Sequence, residues 1–113
     1  MLGKYAAAVE TSGGTGGQEV QDYMIRFERM LGYWTVGSVG ATAMDLAVAA
    51  TRDKAFAAAA ELGKKLAEVI AAKATFPDQP QRGEFFQRMK MLVQFRKDEW
   101  PFEYKHWREQ GWL

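Results

Sequence analysis

The sequence contains no cysteine, and that absence excludes disulfides, thiolate metal sites and thiol nucleophiles together. It contains a single histidine, His106, so no pair of imidazoles, HExxH zinc site or two-histidine iron site can be assembled within one chain. A lone histidine among aromatics is expected to be a packing residue rather than a proton shuttle, although Glu103 and Glu109 are near in sequence. An excess of one charge is missing too. Fifteen Lys and Arg stand against fourteen Asp and Glu, for a net charge of +1, which exerts no long-range pull on nucleic acid or acidic substrates.

Catalytic and phosphate-binding signatures are equally scarce. Ser12 and Ser38 lie in glycine-rich settings without a GxSxG elbow, which argues against a serine nucleophile. The run SGGTGGQ lacks the GK[ST] ending of a phosphate loop and follows no expected strand, and GYWTVGSVG does not fit GxGxxG. Asp98 and Glu99 are adjacent and diverge on a helix, so they make a poor acid–base pair. The chain is therefore expected to be no enzyme and to carry no cofactor, no metal and no small-molecule substrate. No stretch shows the polar–apolar alternation of a half-buried strand, and no internal repeat is visible.

What is present reads as helix, and the fold class expected is all-α, with three to four helices in a single domain spanning 1–113. Residues 1–17 form a flexible N-terminal arm, because TSGGTGG has much backbone freedom to lose and little side chain to hold it. The start MLGKYAAAVE is not expected to be a secretory signal, since its apolar run is short and Glu10 follows directly. An amphipathic helix is expected over 18–34, with Thr15 and Gln18 at capping-box spacing and Val20, Tyr23, Met24, Phe27, Met30, Leu31 and Trp34 on one stripe. A second is expected over 51–76, with Phe56, Ala59, Gly63, Leu66, Ile70 and Ala74 inward. A C-terminal helix and aromatic arm occupy 81–113: the helix carries Phe85, Phe86, Met89, Leu92, Val93 and Trp100 on its apolar stripe, Pro101 stops it, and the ending is either a last short helix closing near Gly111 or an irregular arm.

The central run LGYWTVGSVGATAMDLAVAA, residues 31–50, carries one charged side chain, Asp45. Its length matches a transmembrane span of about 20 residues, with Tyr33 and Trp34 placed as a belt, and Gly37, Gly40 and Ala41 allow close approach of a neighbouring helix. A buried helix of a soluble bundle is the alternative reading, favoured by a mean hydropathy of -0.32. Burial there would raise the pKa of Asp45.

Phe95, Trp100, Phe102, Tyr104, Trp107 and Trp112 crowd the C-terminal arm, interleaved with Arg and Lys. Trp, Tyr and Arg are over-represented at protein interfaces. The expected partner-binding set is thus Gly37, Gly40, Ala41, Asp45, Trp100, Phe102, Tyr104, Trp107 and Trp112. Residues 82–113 carry only a slight basic surplus, so nucleic acid is not an expected partner. The function expected is a non-catalytic accessory or structural subunit of a multi-subunit assembly. Its partners are other protein subunits and membrane lipid, in an energy-transducing complex of the mitochondrial inner membrane. The alternative is a soluble, cytoplasmic α-helical adaptor of phage or bacterial type.

Overall fold

The computed structural model describes residues 3–113, apart from the side chains of residues 80–82; Met1 and Leu2 of the expected N-terminal arm lie outside the described residues. The chain divides into two compact units, Met1–Gln79 and Pro80–Leu113. The first is a βαβ unit: β1 (Tyr5–Ser12), α1 (Gly17–Met30), β2 (Trp34–Thr42), a short α2 (Ala43–Ala47) and a long α3 (Ala49–Ala72). The second holds α4 (Pro80–Phe95) and α5 (Pro101–Glu109).

The all-α expectation is overturned by β1 and β2, which pair in parallel from Tyr5 opposite Trp34 to Ser12 opposite Thr42, with a bulge in β2 after Thr35. The residues expected to be a flexible arm thus supply a strand, and the run expected to be one long central helix breaks into β2, α2 and the start of α3. The membrane span falls with it: among the described residues no helix is long and apolar enough to cross a membrane. Two physical facts account for the difference. Parallel strands covered on both faces do not alternate polar with apolar residues, so the period-two signal is absent where it was sought. Trp34, Thr35, Val36, Val39 and Thr42 are residues that favour a pleated surface, and the glycines between them weaken a helix.

The small residues are explained by what lies above and below the strands. A Cβ on Gly40 would collide with the Glu10 carboxylate and the Gln21 amide of α1, whereas one on Gly37 would meet Leu62 of α3 at 3.2 Å. Residues three apart in a strand point to opposite faces, so α1 and α3 cover opposite faces of the sheet. Ala8 is fully buried and Val36 nearly so. In α3 the half-buried positions are Arg52, Ala55, Ala59, Leu62, Leu66 and Val69, one step round the helix from the expected stripe, which leaves Phe56 and Ile70 exposed. The helix stops at Lys73, in a left-handed conformation at φ 49°, and the Tyr5 hydroxyl donates to the Ala74 carbonyl at 2.6 Å, tying β1 to the end of α3.

In α1 the orientation is the reverse of the expected one. Gln21 is buried and Met24, Ile25, Glu28 and Arg29 are half-buried, while Val20, Tyr23, Phe27 and Met30 face outward. The helix lays its more polar side on the sheet. In the C-terminal unit Val93 is buried, Phe86 stacks on Trp107 at 5.5 Å and Trp107 meets Trp112 edge-on at 5.5 Å. Pro101 opens α5 as its first residue, a position where proline's missing N–H is harmless.

Two glycine substitutions separate these packing roles. Gly40→Val must push the Glu10 and Gln21 side chains aside and break the hydrogen bond between them, and is expected to destabilise by about 0.5–1.5 kcal/mol. Gly63 lies within α3 with nothing near a prospective Cβ, so Gly63→Ala is expected to stabilise by roughly 0.8–1 kcal/mol. Urea denaturation followed by far-UV circular dichroism measures both.

Candidate functional site at the carboxyl ends of the strands

In parallel sheets the loops after the strand carboxyl ends are where ligands gather, and the glycine-rich run falls there. The chain leaves β1 at Ser12, passes through residues 13–16 and enters α1 at Gly17. Gly16 is the N-cap with φ 80° and ψ 2°, a left-handed conformation that glycine adopts without steric cost. Thr15 supplies no side-chain cap, contrary to the capping box expected from its spacing to Gln18. Prospective Cβ atoms on Gly13 and Gly14 meet nothing within 4 Å, so the loop presents bare backbone.

Beneath it sits Glu10. Its Oε1 accepts from Gln21 Nε2 at 3.2 Å, and its Oε2 is buried with no hydrogen-bond partner among the described residues. A Cβ on Gly17 would lie within 3.3 Å of both carboxylate oxygens. The protein therefore places its own carboxylate beside the first turn of α1, where the helix dipole favours negative charge. Any ligand arriving at this turn shares it with that charge.

At the carboxyl end of β2, Asp45 occupies the third position of α2 and closes a capping box. Thr42 N–H donates to Asp45 Oδ2 at 2.9 Å and Asp45 N–H donates to Thr42 Oγ1 at 3.1 Å. These hydrogen bonds to Thr42, the backbone one foremost, hold the Asp45 carboxyl below its ordinary range. The expected upward shift from burial is thus reversed, because Asp45 starts a short helix instead of lining a long one.

Of the residues expected to bind partners, Gly37 and Gly40 serve the internal helix–sheet contacts, Ala41 is half-buried in β2, and Asp45 caps α2. The other five belong to the C-terminal unit. Trp107 and Trp112 pack within it, and His106 meets Trp112 edge-on at 5.7 Å. Trp100 lies under the Arg96 guanidinium at 5.5 Å and Tyr104 under that of Arg108 at 5.9 Å, while Phe102 is 77% exposed. The nine positions fall in both units and converge on no common site within either.

Sequence reasoning missed Glu10 and Glu28. Glu28 lies on the inner side of α1 with Oε2 buried and unpartnered among the described residues, and burial raises its pKa against the opposing pull of Arg29. Its seven-residue spacing from Gln21 was the available signal: two polar residues share the helix side that meets the sheet. Among the described residues no cluster of three or more His, Cys, Asp or Glu could hold a metal ion.

Because the folded state resists ionising Glu28, its penalty is present at neutral pH and disappears as pH falls below the ordinary glutamate range, where folded and unfolded chains are both protonated. Glu28→Gln is expected to raise the melting temperature at pH 7, with the gain shrinking toward zero by about pH 4. Thermal melts of both proteins across pH check this; an equal gain at every pH would contradict it.

No family model, no curated protein and no solved structure matches the chain.

Proposed function

We propose that the chain is a non-catalytic component of a larger protein assembly, in which its βαβ unit joins a wider parallel sheet. The observation that carries this reading is that the sheet stops at two strands. All-parallel sheets are ordinarily larger and covered on both faces. Among the described residues, only Ala8 and Val36 of the unit's apolar side chains are buried. A single amide illustrates the need at the edge. Trp34 N–H donates to the Lys4 carbonyl, so Trp34 turns its backbone toward β1 and Thr35 turns its own away. There the Gln79 side chain takes both groups, accepting from Thr35 N–H at 3.2 Å and donating to Thr35 carbonyl at 2.9 Å, as a neighbouring strand would.

On β1 the same alternation turns Val9 N–H toward the open edge. Proline at such a position costs an edge strand little but removes a donor that an added strand needs. A tagged chain purified from its own source under native conditions is expected to run together with other polypeptides in a species larger than a monomer or dimer of its own 12.7 kDa, whereas Val9→Pro is expected to run with no polypeptide but itself and with an unchanged circular dichroism spectrum. A wild-type chain that runs alone, or an assembly indifferent to Val9→Pro, would count against the reading.

A second reading attaches to the glycine loop. Its place after a parallel strand and before a helix supports binding of a phosphate-bearing ligand such as a mononucleotide, because bare backbone N–H groups there can approach phosphate oxygens closely, while the Glu10 carboxylate beside Gly17 opposes an anion at the same turn. The objection that no strand precedes SGGTGG does not hold once β1 is in place. Calorimetric titration with ADP, flavin mononucleotide and inorganic phosphate tests it. Gly14→Ala, which meets nothing in the free protein, is expected to weaken any such binding at least about tenfold while leaving the melting temperature within about a degree, since small surface changes stay near 0.5 kcal/mol. Absence of heat with all three probes would remove this reading and leave the assembly reading standing.

A further inference from the structure

Along α1 the outward side chains Val20, Tyr23, Phe27 and Met30 form one continuous apolar stripe, each between 46% and 67% exposed. Scattered exposed apolar residues need no explanation, but a contiguous row on a helix whose polar side is already packed is a surface awaiting cover. We propose that it is covered by α1 of a second copy of this chain, packed antiparallel across a two-fold axis. The surface lies on α1 and not on the strand edges, so the inference does not depend on the sheet-completion reading.

The spacing of the stripe favours a copy of itself. Val20 and Met30 lie five residues to either side of Ile25, and Tyr23 and Phe27 lie two to either side. A two-fold axis at that level therefore brings Val20 of one copy against Met30 of the other and Tyr23 against Phe27, which is what an isologous interface requires. The flanking charges choose the direction. Glu19 and Arg26, both exposed, are seven residues apart and so border the same side of the stripe. In the antiparallel arrangement Glu19 of one helix lies about 7.5 Å along the axis from Arg26 of the other, within reach of these long side chains. In the parallel arrangement the two-fold axis runs along the helices and sends the two copies of this flank to opposite sides of the seam, so Glu19 of one helix meets no Arg26 of the other and the ion pair is lost.

Sedimentation velocity of the full chain is expected to show a dimer of twice 12.7 kDa that dissociates on dilution. Phe27→Arg is expected to raise the dissociation constant roughly 30-fold or more without altering the circular dichroism spectrum. Because the chain lacks cysteine, single introduced thiols report the direction independently of that variant. Arg26→Cys is expected to form an intermolecular disulfide readily, its two copies lying near the axis. Glu19→Cys is expected to form little, its copies being about 18 Å apart along the helices. A chain that remains monomeric at about 100 μM, far above ordinary interface affinities, would overturn the proposal. So would a dimer that survives Phe27→Arg, or one in which Glu19→Cys cross-links as fast as Arg26→Cys.

Discussion

The parallel pairing of β1 with β2 is the constraint on which the first unit rests. Antiparallel strands can be joined by a tight turn, but parallel ones require the chain to travel back over the sheet. That return is α1, and it places the glycine-rich loop at one end of the sheet and the turn at Leu31 and Gly32 at the other. The helix must then lie close over strands made of alanine and glycine, which is why Gly40 is under Glu10 and Gln21 and why Ala8 has no solvent exposure. With α3 pressed on the opposite face at Gly37, small side chains become a condition of the layering rather than a sign of a membrane helix.

Close layering comes at the expense of apolar burial. Hydrophobic stabilisation scales with the area removed from water, and alanine and glycine have little to remove. The larger apolar groups of the unit lie elsewhere: Val20, Tyr23 and Phe27 along the outer side of α1, and Phe56 and Ile70 beside the inward stripe of α3. Meanwhile Glu10 and Glu28 leave carboxylate oxygens buried without hydrogen-bond partners among the described residues, and a buried polar atom without a partner costs stability. A unit that buries Gln21 and Ala8 while leaving Val20, Tyr23, Phe27, Phe56 and Ile70 exposed is consistent with surfaces met by other polypeptide.

How far the sequence was legible follows from where its signals were local. The C-terminal stripe of Phe85, Phe86, Met89, Leu92 and Val93 reads directly as the inner side of α4, because a helix–helix contact obeys the helical repeat. Pro101 and Gly111 mark the ends of α5 for equally local reasons, the latter with φ 69° just past the last turn. The strands were hidden because their identity is set by two covering helices rather than by alternation within YAAAVETS or WTVGSVGAT. The orientation of α1 was hidden because its amphipathic stripe is genuine but is not the side that meets the sheet. Asp45 is different: its environment depends on α2 starting at Ala43, and the capping-box spacing of Thr42 and Asp45 is a local signal for that start which the reading of one long helix passes over.

On the proposed reading, the βαβ unit depends on contacts from outside its own fold for part of its stability. Calorimetric melting of the full chain over a hundredfold range of protein concentration tests this most directly, since association that favours the folded state ties the melting temperature to concentration. The account predicts a melting temperature that climbs steadily as the protein is concentrated. A single cooperative transition at one temperature across the whole range, with the calorimetric and van't Hoff enthalpies equal, would show a self-sufficient fold and contradict it.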